Sequence, residues 1–125
     1  MNHMIVDPES LKSVIKMTSG IVILFFTTPW CQPCKKIMPK IDEYKKISKV
    51  ILIKINCDEC YEITTFYKCT SVPTFIRFEN GTEVDRYCGV ELDAIRRLFP
   101  IEEYELFNKE QIHISDNLDN KLYKN

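Results

Sequence analysis

The sequence predicts an α/β domain in which a central mixed sheet is flanked by helices. A β-rich apolar run at 21–27 is followed by an amphipathic segment and a second apolar run at 50–55. A strand, helix, strand order of this kind implies parallel pairing with a right-handed crossover. Two later apolar runs lie on either side of Asn80-Gly81, a strong hairpin signal that implies antiparallel strands. Parallel and antiparallel pairs together give a mixed sheet.

The N-terminal part is predicted to contain a short strand and a helix. An apolar segment at 5–6 is stopped by Asp7-Pro8. Aspartate is a good N-cap and proline suits the first helical position, so a helix is expected to begin here. Apolar residues then recur at helical spacing, and Gly20 ends the pattern.

The run at 21–27 is apolar and β-rich, as in a strand that is buried on both faces, and it is predicted to be the central strand. From Cys34 onward, apolar residues recur at helical spacing with lysines on the opposite face. Pro39 lies inside this helix, where it removes a backbone hydrogen bond and is expected to bend the helix. The buried helical face is predicted to contain Ile37, Ile41, Tyr44 and Ser48.

The last predicted elements are a short helix at 63–67, strands at 74–78 and 84–87, and a helix at 91–99. Pro100 stops that final helix. Residues 1–100 are therefore predicted to form one domain, and residues 101–125, which become mostly polar, a C-terminal extension.

Composition excludes several classes of partner. The 125 residues include 17 basic and 18 acidic side chains, a formal charge of −1, so neither nucleic acid nor an anionic membrane is expected as a partner. The longest apolar run, 21–26, is too short to span a bilayer. No secretory signal is visible at the N-terminus, so a cytoplasmic, reducing location is expected. In such a location six cysteines favour redox or metal chemistry over a disulfide framework.

Cys31 and Cys34 form a Cys-x-x-C pair at the start of the amphipathic helix. The exposed N–H groups and the positive end of the helix dipole favour the thiolate form of the first cysteine. Lys35 adds a nearby positive charge, while Trp30 and Pro33 supply rigid apolar surface. Cys31 is thus the candidate nucleophile and Cys34 the candidate resolving thiol. A structural pair or half a zinc site is the alternative.

The segment W-C-Q-P-C-K at 30–35 resembles the W-C-G-P-C-K active site of thioredoxins, with Gln32 in place of glycine. The predicted order of elements is also that of the thioredoxin fold. Further matches at consistent separations are Pro39, Lys54, Val72-Pro73-Thr74 and Gly89. The resemblance covers roughly 5–99 and implies a thioredoxin-fold thiol–disulfide oxidoreductase, most directly a protein-disulfide reductase that needs no bound cofactor.

The resemblance also implies a substrate site. In thioredoxin-like proteins the bond before the proline corresponding to Pro73 is cis and lies against the cysteine pair, where it keeps a metal ion out. The backbone of Val72 would then pair with an extended substrate. A shallow apolar patch for protein targets would consist of Trp30, Gln32, Pro33, Val72, Pro73, Gly89 and Val90.

One position departs from the family pattern. Thioredoxins usually carry a buried aspartate six residues before the first active-site cysteine, which helps to move the proton of the buried thiol. Phe25 stands there in this sequence. Lys54, which in the family lies near that aspartate, would be desolvated or turned toward another acid such as Asp58. Slow resolution is the expected consequence.

The four other cysteines are Cys57, Cys60, Cys69 and Cys88. By type they could supply four zinc ligands, but the thioredoxin frame places them on different elements, and they are not expected to converge. Burial as small apolar side chains, regulatory oxidation and zinc binding are the three roles that stay open.

Three functions fit the sequence. The first is a reductase whose partners are disulfide-containing proteins, with a partner reductase or glutathione as electron donor. The second is a disulfide oxidase or isomerase, since the residues between the cysteines set the potential. The third is a thioredoxin-fold adaptor with little turnover, which Phe25 and the C-terminal extension support.

Overall fold

A computed structural model of the protein describes residues 7–102 and 105–106. The predicted strand at 5–6 and most of the extension lie outside the described residues. The elements, in chain order, are α1 Pro8–Met17, β1 Ile21–Thr27, α2 Gln32–Ser48, β2 Ile51–Asn56, α3 Tyr61–Phe66, β3 Thr74–Glu79, β4 Thr82–Cys88 and α4 Leu92–Leu98.

The described strands form one sheet in the order β2-β1-β3-β4. β1 pairs in parallel with β2 and antiparallel with β3, and β3 pairs antiparallel with β4. The predicted mixed sheet is confirmed. β1 lies between two neighbours and its residues 22–27 are all buried, which accounts for its apolar sequence on both faces.

Alternate residues of β1 point into two cores, because successive side chains of a strand face opposite sides of the sheet. Ile23 and Phe25 belong to the core beneath α2 and α4, whereas Leu24 and Phe26 belong to the core beneath α1 and α3. The first core also contains Cys31 and Cys34. The reactive pair is therefore supported by the same packing that holds two helices on the sheet.

Local signals account for the helix starts and the hairpin. Asp7 caps α1, and its side chain accepts a hydrogen bond from Ser10 N at 2.9 Å. Asn80 and Gly81 form the β3–β4 turn with φ of 49° and 86°, as a tight hairpin requires. Asn80 N also donates to Gly20 O, and Gly20 N to Asn80 Oδ1, both at 2.9 Å. These bonds fix the hairpin tip to the α1–β1 connection.

The buried face of α2 is the predicted one, with Cys34, Ile37, Ile41, Tyr44 and Ser48 buried and Pro39 inside the helix. Ile101, the first residue of the predicted extension, is 1% exposed and packs in the same core as the cysteine pair. Among the described residues, no helix combines the length and apolar character needed to cross a membrane.

Candidate active site

The cysteine pair lies where the central strand passes into α2. Cys31 is the N-cap residue of that helix, and Cys34 N donates to Cys31 Sγ at 3.2 Å. The two cysteines are joined by a disulfide, with their Cα atoms 5.3 Å apart. The helix dipole and this backbone donor both favour negative charge on Cys31 Sγ once the disulfide is reduced.

The two cysteines open onto different cavities. Cys31 lines a groove of about 710 Å³, which we call the substrate groove. Cys34 is only 1% exposed and instead lines a smaller cavity of about 220 Å³ together with Lys54, Thr28 and Asn56. Thr28 Oγ1 is buried and has no hydrogen-bond partner within the described part of the chain. The two cysteines thus line different cavities, which share Thr28 in their lining.

The loop before β3 forms one side of the substrate groove. The Val72–Pro73 bond is cis, as the resemblance implies, and Val72 lines the groove. Thr74 Oγ1 donates to Ser71 O at 2.6 Å, which closes the loop. Gly89 N donates to Pro73 O at 3.1 Å. The loop after β4 is thereby tied to the proline loop.

Gly89 occupies a position that only glycine fills without strain. Its φ is +146°, and an added Cβ would lie 2.5 Å from Tyr87 Oη. That same oxygen accepts a hydrogen bond from Glu91 N at 3.1 Å, just before α4 begins. A side chain at Gly89 would therefore push the tyrosine away from the start of the last helix.

Trp30 forms the exposed edge of the groove. Its side chain is 67% exposed, yet its Nε1 donates to Asp58 Oδ2 at 2.9 Å. Of the predicted patch, the groove brings together Trp30, Gln32, Pro33 and Val72 with Cys31. Pro73, Gly89 and Val90 are not part of its lining. The groove is also lined by residues that the sequence analysis did not assign to it, namely Thr28, Cys57, Asp58, Thr64, Cys69, Thr70 and Ser71.

Phe25 is fully buried and stacks on Phe75, with ring centroids 4.8 Å apart and planes 11° from parallel. It is the register partner of Lys54 on β2. Lys54 itself is exposed, so the expected desolvation of this lysine is wrong. Asp58 bonds to Trp30, so the structure gives this acid a different partner from the one expected.

The four remaining cysteines are thiols in three different environments. Cys60 is buried, which fits one of the three roles left open for it, whereas Cys88 is exposed. Cys57 and Cys69 are half-buried and both line the substrate groove. The sequence analysis expected that the four cysteines would not converge on one site, and it did not foresee that two of them, Cys57 and Cys69, lie close together where the end of β2 meets the loop before the cis-proline. The described residues contain no group of three or more His, Cys, Asp or Glu side chains suited to hold a metal ion.

A mixed sheet flanked by helices, with a Cys-x-x-C disulfide at a helix start and a cis-proline loop beside it, defines the class of thioredoxin-fold dithiol proteins. The family model described as Thioredoxin matches residues 2–99. This chain belongs to the thioredoxin family, and family and cysteine pair together support thiol–disulfide oxidoreductase activity.

Individual relatives agree with this assignment. A thioredoxin of Echinococcus granulosus is 40% identical over 94 residues, which are 74% of this chain and 87% of that protein. The solution structure of oxidised thioredoxin from Plasmodium falciparum has a TM-score of 0.67 and 36% identity, and covers 80% of this chain and 94% of its own. The X-ray structure of Fasciola hepatica thioredoxin has a TM-score of 0.69 at 30% identity, with coverage of 79% and 95%.

Proposed function

We propose that this protein reduces disulfide bonds in other proteins. In the reduced form, Cys31 thiolate attacks one sulfur of a target disulfide, and the other target sulfur leaves as a thiolate that takes up a proton. Cys34 then loses its proton and attacks Cys31 Sγ, which releases the second target thiol. Two electrons pass to the target, and the Cys31–Cys34 disulfide remains.

One observation carries the assignment of roles. Cys31, although only 4% exposed, lines the groove that a polypeptide can enter, while Cys34 lines a different and smaller cavity. A target disulfide therefore meets Cys31 first, and Cys34 attacks from the protected side. The exposed Trp30 and the Val72 loop offer apolar and backbone contacts to an extended target segment.

The electron donor that regenerates the dithiol is proposed to be a partner reductase or glutathione. The proposed setting is the cytoplasm, because a reducing compartment allows the Cys31–Cys34 disulfide to be reduced again for another cycle. The relatives named above are called thioredoxins, which supports thiol–disulfide oxidoreductase activity at the level of the family.

A redox titration of the Cys31/Cys34 pair, combined with turnover on a protein disulfide, tests the proposal. A potential near that of thioredoxin, about −270 mV, together with turnover, is expected. A potential near about −120 mV would instead identify a disulfide oxidant.

A thioredoxin-fold adaptor is the second candidate, and the buried Phe25 favours it. With no carboxylate at this position, the resolving thiol lacks the proton acceptor usual in the family, so partners would be held longer than they are turned over. Binding of a protein disulfide without multiple turnovers would select the adaptor.

A further inference from the structure

The substrate groove contains two thiols besides Cys31. Cys57 follows β2, and its backbone N donates to Thr27 O at 2.9 Å. Cys69 precedes the cis-proline loop, and its backbone N donates to Thr64 O at 3.0 Å. Both side chains line the groove and pack against the same core, the one beneath α1 and α3. Backbone hydrogen bonds thus hold two half-buried thiols in the lining of the groove.

The two thiols differ in acidity because they interact. A hydrogen bond between their side chains, followed by burial, raises the pKa of Cys57. The same hydrogen bond lowers the pKa of Cys69 to about 6 against the opposing effect of burial, and the Thr74 side chain, the Ser71 backbone and the charge of Arg86 add to the lowering. In its thiol form Cys69 Sγ donates to Ser71 O at 3.3 Å. Thiolates and not thiols attack disulfides. Cys69 is therefore a nucleophile at neutral pH, with a protonated partner beside it.

We propose that Cys57 and Cys69 form a second redox-active dithiol, which disulfides of low molecular mass oxidise to a Cys57–Cys69 disulfide in the wall of the substrate groove. Cys69 thiolate attacks one sulfur of the small disulfide, and the other sulfur leaves as a thiolate and takes up a proton. Cys57 loses its proton to solvent and attacks Cys69 Sγ, which releases the second small thiol. Two electrons pass from the cysteine pair to the reagent.

The raised pKa of Cys57 does not prevent the second step. Its main cause is the hydrogen bond to Cys69, strengthened by the negative charge of that sulfur. Once Cys69 has entered a mixed disulfide, it no longer carries that charge, and the two groups no longer compete for one proton. The pKa of Cys57 then falls toward its ordinary range, although burial still opposes ionisation. Cys57 becomes a resolving thiol only after Cys69 has reacted.

The other two thiols are less suited to pair with Cys69. Cys60 is 6% exposed and does not line the groove. Cys88 is exposed and has its sulfur 2.8 Å from Ser71 Oγ, outside the groove lining. They provide matched controls within the same chain.

The test uses the full chain with Cys31→Ser and Cys34→Ser, so that the active-site pair takes no part. This proposal therefore stands or falls independently of the proposed reductase function. The reduced variant is treated with glutathione disulfide at pH 7, its remaining thiols are alkylated, and its peptides are analysed by mass spectrometry without reduction.

The sequence allows the product to be assigned. Trypsin cuts after Lys54, Lys68 and Arg77, so Cys57 and Cys60 share one peptide and Cys69 lies in the next. A second protease that cuts before Asp58 separates the first two cysteines. The expected product is a Cys57–Cys69 cross-link that has lost two hydrogen atoms and carries no glutathione.

Three single variants in the same background complete the test. Cys57→Ser should abolish the cross-link and leave stable glutathione on Cys69, because the hydroxyl can still donate a hydrogen bond but cannot resolve. Cys69→Ser should abolish the reaction at Cys57. Cys60→Ser should change neither product.

The proposal is overturned if glutathione stays on Cys69 while Cys57 is present, if the cross-link joins Cys60 to Cys69, or if none of the three thiols reacts. The rate of the first step gives an independent readout. It should be half-maximal near pH 6, the pKa of Cys69, whereas an ordinary cysteine with a pKa of about 8.5 would still be accelerating above pH 8. A half-maximal rate in that alkaline range would also overturn the proposal.

Discussion

Replacement of Phe25 by aspartate is expected to accelerate the resolving step about tenfold relative to replacement by asparagine, which is less than the roughly 10² to 10⁴ that a positioned base usually contributes. Phe25 lies in the same core as Cys34, which must lose a proton before it attacks. A carboxylate at this position can accept that proton. Burial raises the pKa of such a carboxyl group toward neutrality, which makes it a better proton acceptor near pH 7.

The cost of the substitution follows from the packing. Phe25 is fully buried and stacked on Phe75, and loss of such a ring costs about 3–5 kcal/mol. Domains of this size are stable by only about 5–15 kcal/mol. Both variants must therefore be shown to be folded by circular dichroism and thermal unfolding. Asparagine has the shape of aspartate and leaves the same cavity, so the comparison cancels the packing loss.

The gain is expected to be modest because Cys34 already reaches a small cavity. Its volume of about 220 Å³ exceeds the roughly 30 Å³ that one water molecule occupies in the liquid. Thr28 and Asn56 provide polar partners there, so water is available as an alternative proton acceptor. A side chain positioned as a general base typically raises the rate by about 10² to 10⁴. Water in this cavity already supplies part of that increase.

Stopped-flow measurement of mixed-disulfide decay at pH 7 tests this reasoning. If the folded aspartate variant is no faster than the asparagine variant, or if the unaltered protein already resolves as fast as a thioredoxin with the aspartate, water or another group is the base. The proposed role of Phe25 in slow resolution would then be wrong.

Three further results are expected. Cys34→Ser should trap a protein substrate on Cys31, because the resolving thiol is gone while the nucleophile remains; mass spectrometry that finds the adduct spread evenly over other cysteines would contradict this. Gly89→Ala should lower the free energy of unfolding by about 1–3 kcal/mol or more, since its Cβ would lie 2.5 Å from a tyrosine hydroxyl. Gly20→Ala, which also has a positive φ but meets no atom within 4 Å, is the control that isolates backbone strain from the clash, and equal losses in urea unfolding would exclude the clash. Deletion of residues 109–125 should leave the melting temperature nearly unchanged because these residues are mostly polar, and a fall of several degrees in calorimetry would show that they pack on the domain.

Much of the fold is predictable because its signals are local. Asp7 supplies a helix cap, Asn80 and Gly81 supply the positive φ values of a hairpin turn, and helical spacing marks the buried face of α2. Strand ends are less predictable. β4 begins at Thr82, two residues before the predicted start, because pairing with Glu79 continues up to the turn regardless of side-chain polarity.

The site is predictable where a motif carries it and not where distant segments meet. The Cys-x-x-C pair is contiguous in sequence, and its helix-start position follows from the neighbouring residues. The approach of Cys57 to Cys69, and the bond from Trp30 to Asp58, depend on how the end of β2 packs against loops far away in sequence. Neither periodicity nor spacing encodes such approaches, so the second thiol pair was not apparent from the sequence.

The bond between Trp30 and Asp58 has a consequence for target recognition. An aromatic side chain that is 67% exposed, as Trp30 is, would ordinarily sample several rotamers. Immobilising such a side chain at an interface costs about 0.5–1.5 kcal/mol. Here the indole is restrained by its hydrogen bond in the unliganded protein, so part of that ordering has already taken place during folding. A polypeptide that enters the groove would therefore contact an indole ring whose orientation does not depend on the identity of the target. In the proposed function, such a contact favours breadth over selectivity, and discrimination among targets falls to the other residues that line the groove.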